Sequence, residues 1–193
     1  EGEIHPLNNS TFLIDELDAQ TEYTVYVRRV CSESVSSEWM SATFKTECPM
    51  QALPLVENFN ELSAIPECWT NEHVAGSSST VWSISSGRAY INYQYSGNQV
   101  ILATPKVALQ AGVAYRISFD TDHTLDSNYD DETHIYLAYS AKGDSIHQFC
   151  NIVYGGNVAS GAVSHQYTFT PDEDMNVCLV VKRIFNYDYA FYM

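Results

Sequence analysis

The stretch that decides the fold reads QVILATPKVAL at residues 99–109 and AYRISF at residues 114–119. Both parts are short apolar runs bounded by turn-forming residues, and such runs predict buried β-strands. Six more runs of similar length predict further strands. Turns rich in Gly, Ser and Asp separate them, which predicts an all-β fold of two sheets packed as a jelly-roll sandwich. The eight predicted strands cover residues 80–85, 88–94, 98–103, 113–121, 133–140, 148–154, 163–170 and 176–184.

A different pattern occupies the first quarter of the chain. Thr21, Tyr23, Val25 and Val27 alternate with polar residues, which predicts a half-buried strand that pairs as a hairpin with residues 39–46. The seam TECPMQALP at residues 46–54 then separates two predicted domains, 1–48 and 49–193.

Composition limits the function. The 193 residues carry a formal net charge of −15, and no basic patch could displace counterions from phosphate, so we expect no nucleic-acid partner. No stretch of 18 apolar residues is present, which argues against membrane insertion. Glu1-Gly2-Glu3 is not a signal peptide and Met193 is not typical of a natural end, so we expect the chain to come from a longer protein.

The hairpin region resembles the second half of a fibronectin type III domain. The segment LDAQTEYTVYVR at residues 17–28 has a Leu six residues before Tyr23. In this family the Tyr at that position locks the corner that leads into strand F. Ser37-Glu38-Trp39 and Phe44-Lys45-Thr46 are similar to the family's last strand. The resemblance implies a partial sandwich, strands E to G, over residues 1–48.

Residues 53–193 resemble the MAM-like jelly rolls called cleaved-adhesin or choice-of-anchor J domains, which are common in exported proteins of the Bacteroidetes. The resemblance implies an extracellular or cell-surface module, exported across the outer membrane, whose role is adhesion or the positioning of neighbouring domains. The family closes with a strand that ends in two Asp, and this chain stops just before that point. The motif positions are Pro54/Glu57/Phe59, Pro66/Cys68/Trp69, Leu102/Thr104/Pro105, Ser118/Phe119 and Ile135/Tyr139/Ser140.

Acidic residues crowd the segment between two predicted strands. Oxygen ligands at this density are those that Ca²⁺ prefers, although the spacing is not that of an EF-hand. The resemblance also implies a structural Ca²⁺ elsewhere, at an opening acidic residue and the closing Asp pair, but Asn60 follows Phe59 here and the pair is absent. We therefore expect either a loop pinned by Ca²⁺ or a solvated acidic loop. The predicted ligands are Asp120, Asp122, Asp130, Asp131 and Glu132.

The five cysteines suggest disulfides if the protein is exported. Cys31 and Cys48 end opposite strands of the predicted hairpin at opposite ends, beyond the reach of a disulfide. Cys48 with Cys68 would join the seam to the second domain. Cys150 with Cys178 is a second pair, on the condition that their strands are neighbours.

The sequence favours a non-catalytic module over an enzyme, because it contains no G-x-S-x-G motif and no cysteine in a protease context. The predicted function is adhesion or interaction with a host or environmental glycan or protein. Two alternatives are a carbohydrate-binding module of a glycan-degrading protein and an accessory domain of a secreted peptidase. Tyr93 and Tyr95 share a face of a predicted strand and are candidates for sugar binding, although a Tyr in a sandwich often packs in the core instead.

Overall fold

A computed structural model describes residues 6, 11–32, 34–92, 94–123, 131–154, 162–186 and 190–193. The chain divides into two compact units, Glu1–Pro49 and Met50–Met193. Each is described by itself below. In the part of the chain that is described, no helix has the length and apolar character needed to cross a membrane.

The first unit is built from two hairpins. Strand β1 (Glu22–Val27) pairs antiparallel with β4 (Met40–Lys45), and the short β2 (Val30–Ser32) pairs with β3 (Val35–Ser36). The predicted hairpin is therefore present. Its corner is fixed by Tyr23, whose hydroxyl accepts a hydrogen bond from the Asp18 N–H at 3.0 Å and whose ring stacks on that of Phe44, the residue opposite it in the register.

The second unit contains eleven strands among its described residues. A six-stranded sheet has the order β12-β11-β14-β8-β5, with β9 paired to one end of β14, and a five-stranded sheet has the order β13-β10-β15-β7-β6. The strands are β5 (Thr70–Ala75), β6 (Ser83–Ser85), β7 (Arg88–Ile91), β8 (Gln99–Ala103), β9 (Val107–Leu109), β10 (Tyr115–His123), β11 (Asp131–Ala138), β12 (His147–Tyr154), β13 (Val163–Phe169), β14 (Met175–Ile184) and β15 (Phe191–Tyr192).

The two sheets pack face to face around one main apolar cluster. Val100 and Ile135 on the six-stranded sheet are fully buried against Ile91 and Phe191 on the five-stranded sheet. Trp82, just before β6, is edge-to-face with Phe191, with ring centroids 5.9 Å apart. Because successive residues of a strand face opposite ways, the same strands leave alternate side chains for the two outer faces of the sandwich. The predicted all-β, two-sheet sandwich is confirmed.

All eight predicted strands are present, but their lengths differ from expectation and three others were missed. The strand predicted at residues 88–94 ends at Ile91. β9 and β15 are three and two residues long, too short to produce a period-two pattern. β5 has the sequence TNEHVA, which gives no apolar alternation because it is an edge strand whose polar side chains lie on both faces.

Candidate functional site

The outer face of the six-stranded sheet carries the candidate site. Its strand register places five side chains in one row across the sheet: Glu72, Ile101, Lys182, His134 and Asn151. Neighbouring strands lie about 4.8 Å apart, so the row extends over roughly 20 Å. That length suits an extended ligand lying across the strands.

A groove with a volume of about 510 Å³ lies on this face. Its apolar lining includes Ile101, Ile184 and the ring of Tyr136. Ile101 is 2 % exposed and Tyr136 8 % exposed, so the floor is packed firmly although it belongs to an outer face. The polar lining comes from strands and from the β11–β12 loop: Gln99, His134, Gln148, Lys182, Lys142, Asp144 and Ser145.

The β11–β12 loop, residues 139–146, forms one wall of the groove. Ala141 packs on the outer-face cluster that contains Ile101, Tyr136 and Val180, which explains why these side chains are buried. The Lys142 ammonium forms an ion pair with Glu72 on β5, the opposite edge of the sheet from β12. Two adjacent residues of the loop, Ala141 and Lys142, thus attach the wall to the sheet.

His134 lies at the centre of a polar chain. The Gln148 amide nitrogen lies 3.1 Å from His134 Nδ1, and His134 Nε2 lies 2.8 Å from a Glu132 carboxylate oxygen. An amide nitrogen only donates, so Nδ1 accepts and the proton sits on Nε2, where it is donated to Glu132. The imidazole thus holds the Gln148 side chain in place beside the groove.

Lys182 is the one cationic side chain in the row across the six-stranded sheet. It lies on the central strand β14, and within the described residues its ammonium makes no hydrogen bond or ion pair. Burial raises the pKa of the Tyr136 phenol, and the Asp144 carboxylate adds to this effect. Tyr136 therefore stays protonated and can donate, as Lys182 can, to acceptor oxygens of a ligand.

The four described residues among the five predicted Ca²⁺ ligands do not lie at one site. Asp120 and Asp122 lie on β10 in the five-stranded sheet, where Asp120 accepts a hydrogen bond from Ser164 at 2.6 Å and Asp122 pairs with Arg88 at 2.6 Å. Glu132 faces the groove side of the other sheet, beside His134.

Asp131 takes a third direction, into the sandwich. It is fully buried and forms an ion pair with Arg183 at 2.8 Å, while the same guanidinium donates to Thr133. No group of three or more His, Cys, Asp or Glu side chains placed to hold a metal occurs among the described residues. The four described members of the predicted set of five therefore do not form one cluster, because adjacent residues of a strand face opposite ways and the two pairs belong to different sheets. Asp130 lies outside the described residues, and Ca²⁺ binding there stays a prediction.

The Cys150–Cys178 disulfide prediction is wrong. Cys150 is on β12 and Cys178 on β14, and β11 lies between these strands. Cys150 packs on the inner cluster, whereas Cys178 belongs to the outer-face cluster, so the two thiols lie on opposite faces of the sheet. Burial raises the pKa of both thiols, which keeps them protonated. The Cys48–Cys68 pairing joins the two units and stays a prediction.

The tyrosine predictions rested on a strand that ends earlier than expected. Tyr95 is 64 % exposed and lies in the turn between β7 and β8, where its carbonyl accepts two hydrogen bonds from Asn98. Tyr93 lies outside the described residues. The structure instead stacks Tyr90 on Tyr192, 5.9 Å apart, on the outer face of the five-stranded sheet, with the Arg88 guanidinium over Tyr192.

Comparisons with known proteins find distant likenesses to solved structures. No family model and no curated protein matches the chain. A structure described as "CBM4 structure and function" has a TM-score of 0.47 at 13 % identity and covers 70 % of this chain and 92 % of its own. The module TmCBM61 in complex with β-1,4-galactotriose has a TM-score of 0.44 at 10 % identity, covering 71 % and 94 %.

A third solved structure, from work on the promiscuous specificity of carbohydrate-binding modules of the β-sandwich superfamily, has a TM-score of 0.42 at 12 % identity and covers 89 % of this chain and 71 % of its own. At these values the likenesses carry no argument about a ligand. The fibronectin and cleaved-adhesin resemblances find no matching family model and stay predictions.

Proposed function

We propose that the second unit, Met50–Met193, is a non-catalytic carbohydrate-binding module, and that the groove on the six-stranded sheet holds the glycan. This is the glycan-binding alternative drawn from the sequence, in preference to a general adhesion module. The observation that carries it is the row of polar side chains on a buried apolar floor, centred on Lys182, which has no partner among the described residues.

The chemistry of the groove suits a sugar chain. A pyranose presents equatorial hydroxyls at its rim and C–H groups on its faces, so it needs hydrogen-bonding groups beside apolar surface. Lys182 and Tyr136 supply donors, Asp144 supplies an acceptor, and Gln148 and Gln99 supply both kinds of group. The exposed Val74 and the half-buried Ile184 supply the apolar surface.

The lining argues against hydrolysis at this site. Glycoside hydrolysis uses a pair of carboxyl groups on either side of the scissile bond. Among the described residues that line the groove, Asp144 is the one carboxylate. Glu132, at the edge of this face, is held by His134, and Glu72 is held by Lys142. Binding without cleavage is the function that this set of groups supports.

The test is a binding screen with matched variants. Affinity electrophoresis against xylan, β-1,4-galactan, mixed-linkage glucan and pectin would find a binding glycan, and calorimetry with its oligosaccharides would measure Kd. Loss of a hydrogen bond from a charged donor costs about 1.5–3 kcal/mol, so Lys182→Ala should weaken binding by roughly tenfold or more. Gln148→Ala should act in the same direction.

Two controls lie on the other side of the sandwich. Arg116 and Gln166 are exposed residues of β10 and β13, on the outer face of the five-stranded sheet. Arg116→Ala and Gln166→Ala should bind as the parent does. Equal affinities for Lys182→Ala and Arg116→Ala, or no binding to any of these glycans, would overturn the proposal.

For the whole chain we propose an extracellular or cell-surface setting, in which the module positions neighbouring domains of a longer secreted protein on a glycan. The support is the family resemblance of the two regions. Sequencing of the full gene tests it, because an export signal, together with a glycan-degrading or peptidase domain on the same polypeptide, is the expected finding. A gene without an export signal would contradict it.

A further inference from the structure

A second pocket, which we call the side pocket, lies at the edge of the sandwich. It has a volume of about 440 Å³ and lies between the segment 63–66 and strands β5 and β6. β5 is an edge strand of the six-stranded sheet and β6 an edge strand of the five-stranded sheet. The side pocket therefore opens where the two sheets meet, and its lining residues are different from those of the groove.

Two of the chain's three tryptophans line the side pocket. Trp69 is half-buried and packs edge-to-face on Phe59, with centroids 5.5 Å apart, which fixes the plane of its ring. Ile65, Pro66 and Ile84 complete the apolar walls, and the exposed Ser63 and Ser83 line the pocket with hydroxyl groups.

Asn71 fixes one wall of the side pocket, the backbone at Trp82. Its side-chain oxygen accepts a hydrogen bond from the backbone N–H of Trp82 at 2.9 Å, and its side-chain nitrogen donates to the Trp82 backbone carbonyl at 2.7 Å. The amide thus reproduces the paired bonds of a strand neighbour and holds the backbone before β6 against β5. A pocket formed in advance loses less entropy when a ligand binds.

The indole of Trp82 provides an independent sign of a ligand. Trp82 is 2 % exposed, and its indole N–H has no hydrogen-bond partner among the described residues. Buried donors in proteins are almost always satisfied, because an unpaired one loses its bond to water without replacement. The indole nitrogen is also closed to solvent, so an acceptor atom of a bound molecule satisfies it only after the ring shifts toward the side pocket.

We propose that the side pocket binds a single sugar residue, such as the end of a glycan chain, independently of the groove. Trp69 and Pro66 offer a surface for one face of a pyranose, the serine hydroxyls meet its hydroxyl groups, and one sugar oxygen accepts the Trp82 N–H. The volume suits one ring better than an extended chain. The module then has two sites of different shape, one for the length of a chain and one for a single residue.

The three tryptophans give a direct test. Each contributes one indole cross-peak to a ¹H–¹⁵N spectrum, and Trp39→Phe and Trp69→Phe assign them without a full assignment. Galactose, glucose, xylose, mannose and glucuronate are titrated into the Trp39→Phe protein. The expected result is a saturable shift of the Trp82 indole proton to lower field with at least one sugar, accompanied by a change in tryptophan fluorescence.

Two variants separate this site from the groove. Ser63→Phe should fill the mouth of the side pocket and abolish the shift, whereas Ser118→Phe, an exposed substitution on the outer face of β10, and Lys182→Ala should leave it. Thermal unfolding of each variant confirms that it is folded. Binding that leaves the Trp82 cross-peak unmoved, a shift unchanged by Ser63→Phe, or no response to any sugar would overturn the proposal, and none of these results bears on glycan binding at the groove.

Discussion

The two outer faces of the sandwich are built from the same alternation of residues but differ in how their polar groups are used. On the five-stranded sheet the groups satisfy one another: Asp122 pairs with Arg88 and Asp120 accepts from Ser164. On the six-stranded sheet Lys182 has no partner among the described residues, and a loop wall encloses it above a buried apolar floor. The acidic groups of the first face are used by their neighbours, whereas the second face has a lysine with bonding capacity left for a ligand.

The largest effect is expected from the acidic residue that supports the groove from inside. Asp131 and Arg183 form a fully buried pair at the start of β11, the strand that carries His134 and Tyr136. Removing one partner of a buried pair leaves an uncompensated charge and costs about 3–5 kcal/mol. Asp131→Ala should therefore lower the free energy of unfolding by about that amount in urea denaturation.

The matched control is Asp122→Ala on the outer face of the five-stranded sheet, where the ion pair with Arg88 is partly exposed. Exposed pairs contribute about 0–1 kcal/mol, so the midpoint of unfolding should change little. Similar losses for the two variants would mean that the buried pair has no special structural role.

A medium effect is expected from the wall of the groove. Lys142 and Glu72 are 62 % and 44 % exposed, so their ion pair contributes little to stability. If it holds the wall in place for a ligand, Lys142→Ala should weaken glycan binding by about 0.5–1 kcal/mol through the cost of ordering the loop, roughly two- to fivefold.

Calorimetry with Lys142→Ala, Glu72→Ala and the double variant measures this coupling. The double variant should bind no more weakly than either single one. Fully additive losses would show that the two residues contact the glycan separately and do not act through the wall.

The smallest effect is expected on the pH dependence of the free energy of unfolding, through His165 on the inner face of the five-stranded sheet. Burial lowers the pKa of His165, which stacks on Phe119 and contacts Thr121 at 2.8 Å, while Asp120 opposes the shift. The unfolded chain takes up a proton near pH 6.5 that the folded protein does not, so acid favours unfolding. The free energy of unfolding should fall as the pH is lowered from about 7 to 5, and His165→Gln should reduce this dependence. An unchanged pH profile in the variant would contradict the assignment.

Sequence patterns predicted the strands well because a buried apolar run leaves a local signal. The runs at 99–103 and 115–121 recur in β8 and β10. The groove left no such signal, because Glu72, Ile101, His134 and Lys182 are far apart in the chain and meet only through strand register. The alternation of polar and apolar residues along β11, with His134 and Tyr136 on one side, was the local hint available.

The acidic segment shows the opposite case, in which residues close in sequence do not lie close together in the described structure. Asp120, Asp122, Asp131 and Glu132 are close in sequence, but a strand turns adjacent side chains to opposite faces and the segment links two different sheets. Nearness along the chain is therefore a poor guide to a metal site in a sandwich, where the register of distant strands decides which groups meet.

The most direct test of the central claim is the footprint of a bound oligosaccharide on the two outer faces. A ¹⁵N-labelled Ser63→Phe protein, in which the side pocket is filled, is titrated with the oligosaccharide that the screen identifies, and backbone amide shifts are followed. We predict shifts at Gln99, His134, Gln148, Lys182 and the wall residues 142–145, with the amides of Arg88, Asp122 and Ser164 unmoved. Shifts confined to the five-stranded sheet would contradict the account.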